Sequence, residues 1–213
     1  HCLGTAGYHP NEDRHTSCYF LPQSGIVPDA GTGMFRLADH IETPTLDILL
    51  SHAHLDHIAG LTFLLDVLFR RPVERLRIWG EQEKLDAIRE HLFSRLVFPV
   101  SLDAQWCAID GHDCLPVGDA QVSWRRQDHP GGSIGYRLDW PSAETPKRLL
   151  YLTDTTGEDG KSAMDWNQNA SLMMHECYFP EAQSEWAEKT GHTWTGKLAQ
   201  IARQSLPGRL LLT

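Results

Sequence analysis

The chain has no pair of cysteines spaced as Cys-x-x-Cys. Its five, Cys2, Cys18, Cys107, Cys114 and Cys177, make an odd number. That speaks against a disulfide framework and fits reduced, structural thiols in a cytoplasm. Basic residues are also scarce: 19 Lys and Arg stand against 28 Asp and Glu, a formal net charge of −9. Broad nucleic-acid binding rests on Lys and Arg contacts to phosphate, so extensive nucleic-acid binding is not expected. Apolar runs such as Leu61–Phe69 are short and interrupted, far from the length of a membrane span. The sequence shows no internal repeat, linker or low-complexity tract, and no secretory leader, although it opens at His1. With 213 residues, 41% of them apolar, the chain is expected to fold as one large domain over 1–213 without staples.

What the chain does have is a cluster of metal-ligand types. Ser51-His52-Ala53-His54-Leu55-Asp56-His57 follows the apolar run Leu46–Leu50. Imidazole and carboxylate are common ligands of zinc and similar divalent ions. The spacing is too tight for one tetrahedral ion to take all four donors. It suits two adjacent ions, His52 and His54 on one, Asp56 and His57 on the other. Ions roughly 3.5–4 Å apart are a recurring device for hydrolysing esters and phosphates. Twelve histidines in the chain make some chance clustering expected. The order of residue types, and the strand signal before them, argue against chance.

The rest of the sequence reads as mixed strands and helices. Leu3–Gly7 is an apolar segment and Ser17–Leu21 a short strand, around a polar loop at Tyr8–Thr16. Gly25-Ile26-Val27 leads into the glycine-rich turn Pro28–Gly33. Leu46–Leu50 has the profile of a buried strand. Ile58–Phe69 has helical spacing, ended by Arg70-Arg71-Pro72. Leu76–Gly80 reads as a strand, and Gln82–Phe93 as an amphipathic helix with Leu85, Ile88 and Leu92 on one face. Further strands are expected at Ala120–Arg126, Gly135–Trp140, Arg148–Thr153, Ser171–Met174 and Leu210–Leu212. Helix signals lie at Glu181–Lys189 and Thr195–Gln204. This pattern predicts a layered α/β design.

Further candidate groups share one address, the end of an apolar strand. His129 follows Val122–Arg126, Asp154 follows Leu149–Thr153, and His175-Glu176 follow Leu172–Met174. His192 lies in Gly191-His192-Thr193, just before a helix. Loops at strand ends are where rigid scaffolds place catalytic groups. A lone Asp there is more often a turn former, and a lone His more often a surface or core residue. Beside the His52–His57 cluster, the set supplies donors that two ions still need. Asp154 suits a bridge between them, and His129 completes the first ion's shell.

The order His52-Ala53-His54-Leu55-Asp56-His57, then His129, then Asp154, resembles the metallo-β-lactamase superfamily, over nearly the whole chain. That resemblance implies an α/β, αββα four-layer sandwich, with two sheets between outer helices and the metals at one sheet edge. Within the superfamily the chain is most similar to the ribonuclease Z group. His129-Pro130-Gly131-Gly132-Ser133 and Gly135-Tyr136-Arg137 resemble that group's third-motif region. His175-Glu176-Cys177-Tyr178-Phe179 resembles its His-Glu-Ala-Thr-Phe segment, and Gly191-His192-Thr193 its Gly-His-Ser segment. Two departures stand out. The interval between His129 and Asp154 has no room for the group's long tRNA-gripping insertion. The group's last ligand, a histidine just after the final strand, would fall one residue past Thr213, which implies a C-terminally truncated chain.

The expected activity is metal-dependent hydrolysis, with a phosphodiester favoured as substrate. Two divalent ions are expected, zinc first, with manganese and iron also suited to these donors. Metal ligands are His52, His54, Asp56, His57, His129 and Asp154. Asp56 also orients the attacking water. His192 donates a proton to the leaving group, Glu176 orients His192, and His175 supports this arrangement. Alternatives are a carboxylic ester, lactone or thioester hydrolase, a tRNA 3′-processing endoribonuclease, and a non-catalytic metal-binding homologue. Relatives in the group are often dimers, so a homodimer is a further expectation.

Overall fold

The apolar residues of Leu46–Leu50 alternate between two buried faces, and that alternation organises the first half of the molecule. The computed structural model describes residues 1–141 and 145–213. They form two compact units, His1–His112 and Asp113–Thr213.

In the first unit, β1 (Cys2–Gly4) and β2 (Cys18–Tyr19) pair as a small antiparallel sheet. β3 (Ile26–Pro28), β4 (Thr45–Leu49), β5 (Arg75–Gly80) and β6 (Gln105–Ala108) form a parallel sheet in sequence order. Leu46 and Ile48 of β4 with Leu76 and Ile78 of β5 face a core shared with the helical segments. Those segments are a 3-10 helix at Thr32–Asp39, then α1 (Leu55–Ile58), a 3-10 turn at Ala59–Phe63, and α2 (Leu64–Arg70). After β5, α3 (Gln82–Ala87) runs into a π-helical turn at Ile88–Leu92. Asp47 lies one residue out of phase with that core and is fully buried. Arg77 Nε donates to its Oδ1 at 2.5 Å, and Trp79 Nε1 to the same oxygen at 2.8 Å. A buried carboxylate needs such partners.

The single helix expected at Ile58–Phe69 is three short pieces. Gly60 explains the break: its N–H donates to Ala30 O at 2.8 Å rather than along the helix. A Cβ there would collide with the carbonyl of Gly31, so only glycine lets the two backbones meet.

In the second unit one mixed sheet has the order β12-β11-β10-β9-β8-β7. Its strands are β7 (Cys114–Val117), β8 (Ala120–Gln127), β9 (Ser133–Trp140), β10 (Lys147–Leu152), β11 (Leu172–His175) and β12 (Leu210–Leu212). Leu150, Leu152 and Met173 pack against α4 (Lys161–Asn167) and α6 (Thr195–Ser205), which follows α5 (Ser184–Thr190). β3, β6, β7 and α4 were not signalled in the sequence. β7 shows why: Pro116 reads as a strand breaker, and it is tolerated because β7 is an edge strand. Among the described residues no helix is long and apolar enough to cross a membrane.

Candidate metal centre

The first donor set sits where β4 ends. Leu50 N–H donates to Trp79 O at 2.9 Å, which fixes the strand end to β5. The chain then turns through Ser51–His54, and His54 caps α1 in an extended conformation. His52 and His57 are buried, Asp56 is half-buried and His54 is exposed. The His52 ring centroid lies 4.4 Å from that of His54 and 4.3 Å from that of His57. His57 Nε2 lies 3.3 Å from Asp56 Oδ2. The sequence cluster is therefore a cluster in space as well.

A residue that the sequence had shown only as part of a turn holds this set together. Asp29 follows β3 and is fully buried, with φ of 55°. Left-handed backbone in a non-glycine residue is uncommon and concentrates at functional sites. Asp29 Oδ1 accepts the Ser51 N–H at 2.7 Å. Its Oδ2 accepts the Ser51 hydroxyl at 2.7 Å and His57 Nδ1–H at 2.7 Å. The Ser51 oxygen in turn accepts from His52 Nδ1 at 3.0 Å. One carboxylate thus orients two imidazoles, one directly and one through a hydroxyl. With Nδ1 protonated in both rings, Nε2 carries the lone pair. This is the usual supporting arrangement behind a metal-ligating histidine. The signal available in sequence was Asp29-Ala30-Gly31 itself, a turn able to bring backbone close to a site.

The second unit carries its own set. His129 follows β8 and turns back through Gly131 and Gly132, both with positive φ, where Gly132 N–H donates to His129 O at 2.7 Å. His129 Nδ1–H donates to Gly191 O at 2.9 Å, and its Nε2 lies 3.5 Å from Asp154 Oδ2. Asp154 follows β10 with φ of 49°, a second left-handed aspartate. The Ser133 hydroxyl donates to Asp154 O at 2.6 Å and the Thr153 hydroxyl to Asp154 Oδ1 at 2.9 Å. Gly191 is the left-handed cap of α5; a Cβ there would press on Pro130 and His129 Nδ1.

Glu176 and His192 meet in this unit. His192 Nδ1 donates to Glu176 Oε1 at 3.2 Å, and Thr155 N–H donates to the same oxygen at 2.7 Å. Glu176 Oε2 is buried without a hydrogen-bond partner among the described residues. Burial raises the Glu176 pKa above the usual carboxylate value, and the bond from His192 opposes that rise. The His192 and His129 ring centroids are 5.1 Å apart. His175, at the end of β11, is fully enclosed; its Nδ1–H donates to Glu176 O at 2.8 Å. Burial lowers its pKa to about 4, so it is neutral at pH 7. A neutral, enclosed imidazole fits a supporting role.

These strand-end sets of imidazoles and carboxylates, with left-handed aspartates behind them, find a match among known proteins. A family model described as "Beta-lactamase superfamily domain" matches residues 24–213. The chain belongs to this superfamily. Among its curated relatives, the Ribonuclease Z of Gemmatimonas aurantiaca is 24% identical over 267 aligned residues, covering 99% of this chain and 83% of that protein. The Ribonuclease Z of Natronomonas pharaonis is 25% identical, covering 99% of this chain and 84% of that protein. Among solved structures, the short form of human tRNase Z is 21% identical, with a TM-score of 0.79 over 100% of this chain and 90% of that one. The metallo-beta-lactamase fold protein YhfI of Bacillus subtilis, also 21% identical, has a TM-score of 0.77 over 100% of this chain and 84% of that one. The fold is the α/β metallo-β-lactamase fold that the resemblance implied.

Proposed function

We propose that this chain is a metal-dependent phosphodiesterase working with two divalent ions. His52, His54 and His129 would hold the first, Asp56 and His57 the second, and Asp154 both. The donor chemistry fits: imidazoles and carboxylates suit zinc, and manganese or iron after it. The Asp29 network supports the reading, because it fixes the tautomers of His52 and His57 that ligation needs. When bound, such ions acidify a water molecule and draw charge from a phosphoryl oxygen.

The other steps belong to the chain's own residues. Asp56 accepts a hydrogen bond from the attacking water and orients it. His192 gives a proton to the leaving oxygen. Glu176 holds His192 at Nδ1, which leaves Nε2 to face the substrate. General acid catalysis of this kind is worth about 10²–10⁴-fold. The observation that carries the reading is the Glu176–His192 pair beside His129, its carboxylate buried and its imidazole half-buried. It provides a proton donor next to a metal-ligand group, which a purely metal-binding homologue would not need.

The curated relatives named Ribonuclease Z support a phosphodiester over a lactone or thioester. Net charge of −9 supports a substrate gripped at the scissile group rather than along a nucleic-acid backbone. The 267-residue alignment exceeds the 213 residues here, so that relative carries segments without a counterpart in this chain.

The test is hydrolysis of bis(4-nitrophenyl) phosphate, a homoserine lactone and a precursor tRNA by metal-loaded protein. Metal-dependent turnover of the phosphodiester alone is the expected result. Lactone hydrolysis without diesterase activity would sink the proposal, and efficient tRNA cleavage would transfer it to RNA processing.

A further inference from the structure

We infer that Tyr178 is a positioning residue for His192, holding the plane of an imidazole that Glu176 binds at Nδ1. The inference rests on the phosphodiesterase reading, in which His192 is the proton donor. The hydrogen bond to Glu176 holds His192 at Nδ1 and does not by itself set the plane of the ring. Two carboxylate contacts would restrain it, but Glu176 Oε1 is shared with the Thr155 N–H and Glu176 Oε2 has no hydrogen-bond partner among the described residues. A ring packed on its face restrains that plane directly.

Tyr178 supplies it. Its ring stacks on His192 with centroids 4.8 Å apart and planes 23° from parallel. His129 meets His192 edgewise, at 5.1 Å and 64°. Phe179 lies 6.1 Å from His192 and sets Tyr178 from the side, at 4.8 Å and 61°. Rings at these separations attract in defined orientations, so the cluster selects one plane for the imidazole.

The backbone explains why Tyr178 arrives there. Tyr178 N–H and Phe179 N–H donate to Thr193 O at 3.1 and 3.3 Å, and Thr195 N–H donates back to Phe179 O at 3.0 Å. The segment after β11 is therefore clipped to the residues just past His192. Tyr178 is 39% exposed, so its stack on His192 stands at the surface of the second unit.

The test uses two phosphodiesters that differ in leaving group. One is thymidine 5′-(4-nitrophenyl) phosphate, whose phenolate departs without a proton. The other is the dinucleotide TpT, whose alkoxide needs one. In both, water oxygen bonds to phosphorus and the P–O bond to the leaving group breaks. With TpT, His192 protonates the departing oxygen and regains a proton from the attacking water.

Tyr178→Ala should lower kcat on TpT about tenfold while changing kcat on the aryl ester less than about twofold, since misplacement of a donor costs only the step that uses it. KM should stay within about twofold for both substrates. Tyr178→Phe, which keeps the ring, should recover most of the loss. Metal content and melting temperature of both variants are measured alongside. Equal losses on the two substrates would mean a general structural role and overturn the inference. So would a Tyr178→Phe variant no better than Tyr178→Ala, or unchanged TpT turnover. His192→Ala separates the two levels: equal losses on both esters in that variant would overturn the proton-donor reading itself.

Discussion

The two donor sets are built in opposite ways. The first comes from one loop, His52–His57, at the end of a parallel strand, and a single buried carboxylate, Asp29, orients its two buried rings. The second is gathered from separate loops: His129 after β8, Asp154 after β10, Glu176 after β11 and His192 after α5. Its anchors are several: Gly191 O holds His129, Ser133 and Thr153 hold Asp154, and Thr155 helps hold Glu176. A contiguous set needs one anchor because the chain already keeps its members close. A dispersed set needs an anchor for each member. The contrast teaches where each set is vulnerable, to one residue in the first and to several in the second.

The largest test of the contrast falls on Asp154, the donor proposed to serve both ions. Asp154→Ala should remove bound metal and lower kcat by at least about 10³-fold, read by elemental analysis and diesterase rate. Retained metal with retained activity would mean that the sets work independently.

Next comes the proton donor. His192→Ala should lower turnover on an unactivated phosphodiester about 10²-fold or more with metal content intact. Metal lost in proportion to activity would make His192 a ligand instead.

Asp29→Asn probes the single-anchor design. The amide presents a donor where Ser51 and His57 both need an acceptor. Metal affinity should fall about 10–100-fold, measured by competition with a chromophoric chelator. An unchanged affinity would show that His52 and His57 do not depend on a common support.

A separate effect falls on stability rather than on metal or turnover. The folded pKa of His175 lies at about 4, below its unfolded value of 6.5. Its contribution is full above pH 6.5 and is lost as pH falls from there toward 4, where the unfolded chain takes up a proton that the folded chain refuses. Over that range the total loss amounts to about 3 kcal/mol. Urea denaturation at a series of pH values should show it in the parent and show it flattened in His175→Leu. Equal slopes in the two would mean that His175 titrates normally in the fold.

Much of the fold was legible because its strands carry strong apolar patterns. β4, β5, β8, β9, β10 and β11 fall where the alternation or apolar runs pointed. The helix at Ile58–Phe69 read as continuous because sequence spacing reports faces, not interruptions. Gly60's bond to Ala30 is a contact between distant turns, and nothing in the local pattern announces it. Pro116 hid β7 for the converse reason: a local breaker is harmless on an edge strand. At the candidate site, the His52–His57 spacing pointed to metal-ligand chemistry directly. Asp29 and Tyr178 did not, since an aspartate in a turn and a tyrosine after a strand have many ordinary uses.

The sequence by itself determined the superfamily, the candidate ligand types and the strand-end addresses, because these depend on residue identity and short-range spacing. Tertiary structure alone decided which atoms of the rings are committed. The tautomers of His52 and His57, the burial that keeps His175 neutral, and the stacking of Tyr178 on His192 all arise from groups far apart in the chain. Hydrogen bonds and ring contacts act over a few ångströms, and only folding brings those partners within reach.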